Sequence, residues 1–479
     1  MKYTLKGWVL SGALLGAAAC SADRLAIPNY NAPTTDGVSK DPQGIQLAAT
    51  GLIERERSLQ PGTSQDFGFL GRESYVYFST DTRNVTGFLV GVPGPGPGGK
   101  TIDPGGFGAT GTNWNNRFNN MRNAVNLMNA VEASTLTDAQ KKATTGFAKT
   151  IRGLDVMYVL YARDTLGLPV DVNEDPNELA PFVSKDSAYK FSTGMLEQGK
   201  ADLSAGGAAF PFTLSKGFAG FDTPATFLKF NRAILARVLV NRGTQGCGAP
   251  CFTQALTAIG ESFATAPGAA TSLAQLNAGV YNNYSTATGD VQNSLSTANN
   301  GNLFAHASIV TDAQKQADGT TLDDRVGRKV VKLANPVSPP QGTGIPANYA
   351  FTIYATPSTD VPIIRNEELI LLRAEANIQL NNLTAALVDI NTIRTVSGKL
   401  SALGSLGTQA QAITELLYNR RYSLLLEGQR WNDARRYNIL NTLPLDNTSG
   451  QYTHFVARAQ PVPLAECDAR PAPKPQGCP

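Results

Sequence analysis

Apolar residues recur at helical spacing in three separate stretches of this chain. Trp114, Phe118, Met121, Val125 and Met128 are separated by four, three, four and three positions, which is one face of a helix. A break at residues 134–137 places Thr137 as an N-cap, and a second stripe follows through Phe147, Ile151, Leu154, Tyr158 and Tyr161. Two amphipathic helices so close in sequence pack antiparallel, so residues 114–162 are predicted as a hairpin. Phe230, Ile234 and Val238, with Leu256, Ile259 and Phe263, predict a second over residues 225–263, around a turn at 243–251. A third spans 366–395, from 367–380 to 383–394, jointed at Asn381 and Asn382. Residues 413–426 and 430–440 supply C-terminal helices. Repeated hairpins predict a mostly α fold, in which tetratricopeptide-like pairs stack into a superhelical scaffold.

Between the hairpins the periodicity lapses. Residues 264–358 are rich in Asn, Gly, Ser and Thr and are predicted as a long, irregular, loop-rich middle insert; residues 91–111 carry a VPGPGPGG run. Loops of this kind carry function more often than helices do. The proline tail, 461–479, is predicted to hold neither helix nor central strand. Residues 20–479 are predicted as a single domain with long excursions.

The N-terminal residues change the picture of where the chain works. Lys2 and Lys6 precede an uncharged, mostly apolar stretch of 13 residues, 7–19, which stops at Cys20. That is a secretory signal layout, shorter than the roughly 20 residues a spanning helix needs. Ala17, Ala18 and Ala19 before Cys20 resemble a bacterial lipobox, with Ala17 standing where leucine is usual. Cys20 is the predicted lipidation site after removal of residues 1–19, and cleavage at an ordinary A-x-A site is the alternative. Several acyl chains would hold the protein on a membrane, since each buried CH₂ contributes about 0.8 kcal/mol.

Losing residues 1–19 removes two lysines and no acid, so the formal charge falls from +3 to +1 and implies no nucleic acid or other polyanion as partner. With 42% apolar and 16% charged residues, the exterior is polar and weakly charged, which suits uncharged ligands. Cys247 with Cys251, and Cys467 with Cys478, are candidate disulfides in an oxidising compartment. His306 and His454 are the only histidines and neither sits near a cysteine, so no metal site is expected.

Four segments together resemble the SusD/RagB family. CSADRLAIPN is similar to the family's short start after the lipid cysteine, and NWNNRFNNMRNAVNLMNAV to its Trp and aromatic helix. FNRAILARVLVNRG followed by FTQALTAIGESF resembles the helix, turn and helix that lead to the irregular middle. IIRNEELILLRAEANIQLNNLTAALVDINTIR and LLYNRRYSLLLEGQRWNDARRYNIL resemble its two most specific blocks, with Asn419 before Arg420 where glutamate is usual and Ala434 where leucine is common. The resemblance implies an extracellular lipoprotein on the outer membrane, without cofactor, resting on a SusC-like TonB-dependent transporter and helping it capture glycans or other large nutrients.

Glu427, Arg430 and Trp431 are a carboxylate, a guanidinium and a large aromatic within one turn, yet a structural reading is stronger: Glu427 and Arg430, at i and i+3, pair on a helix face while Trp431 is core. The same holds for Arg373, Glu375 and Arg394, and Trp114 belongs to its stripe. Better ligand-binding candidates lie off the stripes: Tyr75, Tyr77, Phe78, Asp81 and Arg83 in YVYFSTDTRN, and Tyr281, Asn283 and Tyr284 in the insert. Aromatic faces stack on sugars while amides and acids bind hydroxyls; the competing assignments are a half-buried strand and a polar turn. Asp323, Asp324 and the acids of 171–175 show no EF-hand spacing and are read as solvated loop charge.

No catalytic residue is assigned. HExxH, G-x-S-x-G and P-loop signatures are missing, although a glycosidase needs only two carboxyls roughly 5–10 Å apart and these need not be neighbours in sequence. A protein-binding tetratricopeptide scaffold is the other alternative, and it has no evident need for so long an insert.

Overall fold

In the computed structural model, residues 42–94, 99–172 and 178–479 are described; Cys20 and the leader, with residues 173–177, lie outside them. The principal helices are α1 (Pro42–Leu70), α2 (Asn115–Glu132), α3 (Asp138–Arg163), α4 (Lys185–Ser204), α5 (Pro224–Arg242), α6 (Ala249–Gly260), α7 (Asn366–Gln379), α8 (Leu383–Thr392), α9 (Gln409–Ser423) and α10 (Arg430–Arg436). From α1 to α8 each helix packs on its neighbour in sequence, and α7 also meets α5 and α9. This is the stacked-hairpin, mostly α architecture that the stripes predict.

Local chemistry starts and joins these helices. Thr137 forms a capping box with Gln140 at the start of α3, and Thr223 and Thr408 do the same for α5 and α9. The α3–α4 contact is close because glycine permits it: a Cβ on Gly146 would fall 2.7 Å from Leu203 Cγ and 2.9 Å from the Gly199 carbonyl oxygen. Disulfides join Cys247, in the turn after α5, to Cys251 in the first turn of α6, and Cys467 to Cys478, with Cα separations of 5.8 and 5.5 Å. Among the described residues no helix is long and apolar enough to cross a membrane.

The middle region is more regular than its composition suggests. Of its strands β2 (Gly279–Asn282), β3 (Leu303–Ala305), β4 (Val330–Val337) and β5 (Ala347–Phe351), β3 pairs with the distant β1 (Ser74–Val76) and β2 with β6 (Val361–Arg365), while β5 pairs with β3 and β4. One sheet has the order β1-β3-β5-β4, and β2 pairs antiparallel with β6. Asp323 and Asp324 are not solvated loop charge. Asp323 is fully buried, caps the short helix Asp324–Lys329, bonds Arg325 at 2.5 Å and accepts from Tyr418 Oη at 2.9 Å; Asp324 pairs with Arg328 and Lys399, each at 2.7 Å.

Two further expectations are corrected. Glu427 and Arg430 do not pair, because the chain leaves α9 in a turn with φ of 60° at Leu426 and 77° at Gly428 before α10 begins. Glu427 instead accepts from Arg365 at 2.8 Å, and Arg430 donates to the Gly71 carbonyl at 3.0 Å. The proline tail does contain a short helix, Leu464–Asp468, in the stretch between Pro463 and Pro471 that holds no proline. Trp431 is fully buried, as the core reading requires, with its Nε1–H donated to the Ala457 carbonyl at 2.8 Å.

Candidate functional site

The eight predicted ligand residues do not come together. Tyr75 and Tyr77 flank the same sheet face, stacked at 5.4 Å between ring centroids and almost wholly buried. The Tyr75 hydroxyl is bonded to Asp446, and that of Tyr77 donates to the Ile345 carbonyl at 2.7 Å, so neither offers a free ring. Phe78 is exposed beside the Asp81–Arg83 pair (2.8 Å), and Arg83 lies 5.7 Å from the exposed Phe107 ring. Arg83 holds the Asp81 carboxyl at about 2, well below the usual range.

Tyr284 is buried and donates to the Arg57 carbonyl at 2.7 Å, while the Asn283 carbonyl accepts from Arg57 at 3.3 Å. Both fasten the insert to α1. Tyr281 is different. Along β2 burial alternates, so Val280 and Asn282 face inward and Tyr281 turns outward. Opposite it the β6 ladder shifts register between Pro362 and Ile364, a bulge of the kind that re-aims side chains. Gly217 allows the strand its position, since a Cβ there would sit 1.8 Å from the Tyr281 carbonyl oxygen.

Tyr281 lines a cavity of about 480 Å³ together with Tyr354, Asp360, Lys329, Arg365 and Glu427. The insert supplies one part of the wall, and Asp360, β6 and the turn after α9 supply the rest. A larger cleft, about 720 Å³ between Leu166, Phe455 and Leu464, contains none of the predicted ligand residues. The smaller cavity is therefore the candidate site.

Its charged wall is tightly bonded. Arg365 donates to Glu367 and Glu427, to the Ser423 carbonyl at 2.5 Å and to Asn277 Oδ1 at 3.3 Å. Lys329 Nζ donates to the carbonyls of Tyr422 and Ser423 at 2.8 and 2.6 Å. Burial, helped by the Arg365 charge, lowers the Lys329 ammonium to about 8. Burial also acts against ionisation of Glu367, but Arg365 and Lys329 outweigh it and hold that carboxyl at about 2; for Glu427 burial wins and the shift is upward. Asp360 is raised by burial as well, and its Oδ1 accepts the Tyr284 backbone N–H at 3.4 Å. Tyr354 is 2% exposed, and its hydroxyl has no hydrogen-bond partner.

Residues 346–462 match the family model described as the SusD family. Over that segment the chain is similar to the SusD family. No curated protein sequence matches it. Among solved structures, a SusD superfamily protein from Bacteroides vulgatus aligns over 92% of this chain and 100% of its own, at 16% identity and a TM-score of 0.65. Surface glycan-binding protein A from Bacteroides uniformis aligns over 91% and 100%, at 15% identity and 0.64, and B. fragilis NanU over 91% and 96%, at 14% identity and 0.62. At such identities the likeness is one of fold.

The charged residues of this SusD-family segment are chiefly structural. Arg436 bonds Glu375 at 2.8 Å, Arg420 bonds Asp433 at 2.7 Å, Arg373 bonds Asp389 at 2.7 Å and Arg394 bonds Glu415 at 2.5 Å. Glu427 has a double position, locked to Arg365 and yet on the cavity wall. Tyr354 and Asp360 escape a reading by stripes, although AFTIYATPSTD carries the same signal that marks VYNNYS, an aromatic beside short polar residues off any helical face.

Proposed function

We propose that this chain is a cell-surface binding lipoprotein, anchored in the outer membrane through Cys20, that captures a glycan or other large nutrient and passes it to a SusC-like TonB-dependent transporter. The match of residues 346–462 to the SusD family model carries the reading, and the position of the cavity supports it, because the matched segment and the insert wall it together. Tyr281 offers an aromatic face, with Asp360 and Asn277 as polar neighbours, the mixture that orients a sugar in a pocket.

Binding without chemistry is the reading of choice. Hydrolysis of a glycoside needs an acid and a second carboxylate free to act. Of the two carboxyls named on the cavity wall, Glu427 is bonded to Arg365, which leaves Asp360 without such a counterpart.

A glycan array probed with the full chain tests capture: retention of at least one glycan, returned unchanged, is expected, whereas blank arrays or turnover by pure protein would sink the reading. The anchor is tested separately by Cys20→Ser, which should move the exported protein from the detergent to the aqueous phase. Equal aqueous partitioning of both forms would rule out lipidation.

A further inference from the structure

The larger cleft, between Leu166, Phe455 and Leu464, is closed on one side by Gly477, Cys478 and Pro479, and the Cys467–Cys478 bond ties that side down. Up to Arg470 the chain is well fastened. The Leu464 N–H donates to the Pro104 carbonyl at 3.0 Å, Cys467 is fully buried, and Arg470 donates to the Ala180 carbonyl at 2.8 Å with its guanidinium 4.7 Å from the Phe182 ring. Beyond Arg470 the fastening stops. Residues 471–479 are exposed except for half-buried Pro475 and Cys478. Their hydrogen bonds stay inside the segment: the Cys478 N–H donates to the Pro475 carbonyl at 3.1 Å, and Lys474 Nζ to a main-chain oxygen of Pro479 at 3.4 Å. Among the described residues their ion pairing is confined to Lys474 with Asp468 at 3.8 Å, two exposed side chains of the same disulfide loop. Gly477 rests on Leu166, where a Cβ would fall 2.8 Å from Leu166 Cδ2.

We propose that residues 471–479 are a lid on this cleft, latched by the Cys467–Cys478 disulfide, so that access to the cleft follows the redox state of that pair. Prolines at 471, 473, 475 and 479 keep the segment from forming helix or ladder of its own, and a segment with so few outside contacts opens at low free-energy cost once its tether is cut. The cysteines are 11 positions apart, and the chain between them regains conformational freedom when the bond breaks. Opening is a two-electron exchange with a dithiol. One thiolate of the dithiol attacks the sulfur of half-buried Cys478, and Cys467 leaves as a thiolate and takes up a proton. The second sulfur of the dithiol then displaces Cys478, leaving two protein thiols and a cyclic disulfide. The other bond releases nothing, because Cys247 and Cys251 join α5 to α6, helices that pack on each other directly.

Hydroxyl-radical footprinting of the full chain reads the lid directly, because a leucine side chain labels according to its access to water. The oxidised wild type is compared with wild type reduced by dithiothreitol and capped with iodoacetamide, and with a Cys467→Ser, Cys478→Ser double variant that spares the other disulfide. Labelling of Leu166 should rise severalfold in both opened forms, while the fully buried Phe147 and Leu154 of α3 stay protected. Unchanged labelling of Leu166 with the bond open would overturn the lid. A rise at Phe147 and Leu154 as well would overturn it too, since the bond would then hold the core together. If dithiothreitol leaves Cys467–Cys478 intact in the folded protein, redox control of the cleft is overturned even where the double variant opens.

Discussion

Arg365 Nη2 lies 2.8 Å from Glu427 Oε1, so one guanidinium ties the residue preceding α7 to the turn after α9 and closes the floor of the cavity. The same Arg365 side chain also holds Glu367, and all three residues are buried. An Arg365→Met substitution would leave two buried carboxyls without their cation, and such a break typically costs about 3–5 kcal/mol. Urea denaturation should show that loss, and adding Glu367→Gln and Glu427→Gln should recover much of it. An unchanged midpoint in the single variant would mean that the pair holds nothing together.

Trp431 joins α10 to α1. Its ring centroid is 5.5 Å from that of Phe67, and the Arg435 guanidinium stands 4.6 Å from it. Trp431→Ala should lower stability by about 3–5 kcal/mol through the cavity it leaves. Ligand affinity, measured where the variant is still folded, should change little because Trp431 lies away from the cavity wall. Tighter coupling to affinity than to melting temperature would reverse this assignment.

The hairpins are legible in the sequence because their buried faces are rows of large apolar residues. The helices that escape such a reading lack that property. The buried face of α1 includes Glu56, Gln60, Thr63 and Ser64, with Pro61 inside the helix, and α4 packs through Ala188, Ser192 and Gly199 as much as through Leu196 and Leu203. Periodicity is then diluted by polar and small residues that only their partners explain, such as Arg117, which bonds Glu56 and is 2.8 Å from Asp155. The sheet is hidden for another reason: its strands are short, and β1 pairs with β3 in a register that sets Tyr75 against Phe304. Sequence pattern singles out Tyr281 but not the positive φ at Leu426 that carries Glu427 to Arg365.

Glu73 gives the fold a pH dependence whose sign can be worked out. It is 1% exposed, and burial, opposed by the Arg430 charge, raises its carboxyl from 4.5 to about 8. A folded-state value above the unfolded one means that the folded protein holds the proton more tightly. The associated stability is full below pH 4.5 and is lost as pH rises through about 8. Glu56 and Asp66, each raised to about 7, contribute slopes of the same sign over a narrower range. Glu73→Gln, neutral at every pH, should flatten the decline between pH 5 and 8 by up to about 1.4 kcal/mol per pH unit. Denaturant titrations at each pH check it; parallel wild-type and variant curves would show that Glu73 is ionised in the folded protein.

Three of the four tyrosines in the two candidate segments, Tyr77, Tyr281 and Tyr284, should separate cleanly by variant. Tyr77 and Tyr284 are buried and each bonds a backbone carbonyl at 2.7 Å, so alanine there removes both packing and a satisfied hydrogen bond. Losses of about 3–5 kcal/mol are expected at these two positions, of the size seen for large aromatic deletions. Tyr281 is half-buried on an outward-facing strand position; its hydroxyl donates to the Asn277 carbonyl at 2.5 Å, and its ring lines the cavity. Tyr281→Ala should therefore cost less stability than either of the others and weaken glycan binding most. Tyr281→Phe keeps the ring and should retain most of the affinity if stacking is its contribution. Melting curves and calorimetry on the four variants provide the comparison. Equal destabilisation by all three alanine variants, with glycan affinity untouched in Tyr281→Ala, would remove Tyr281 from the site.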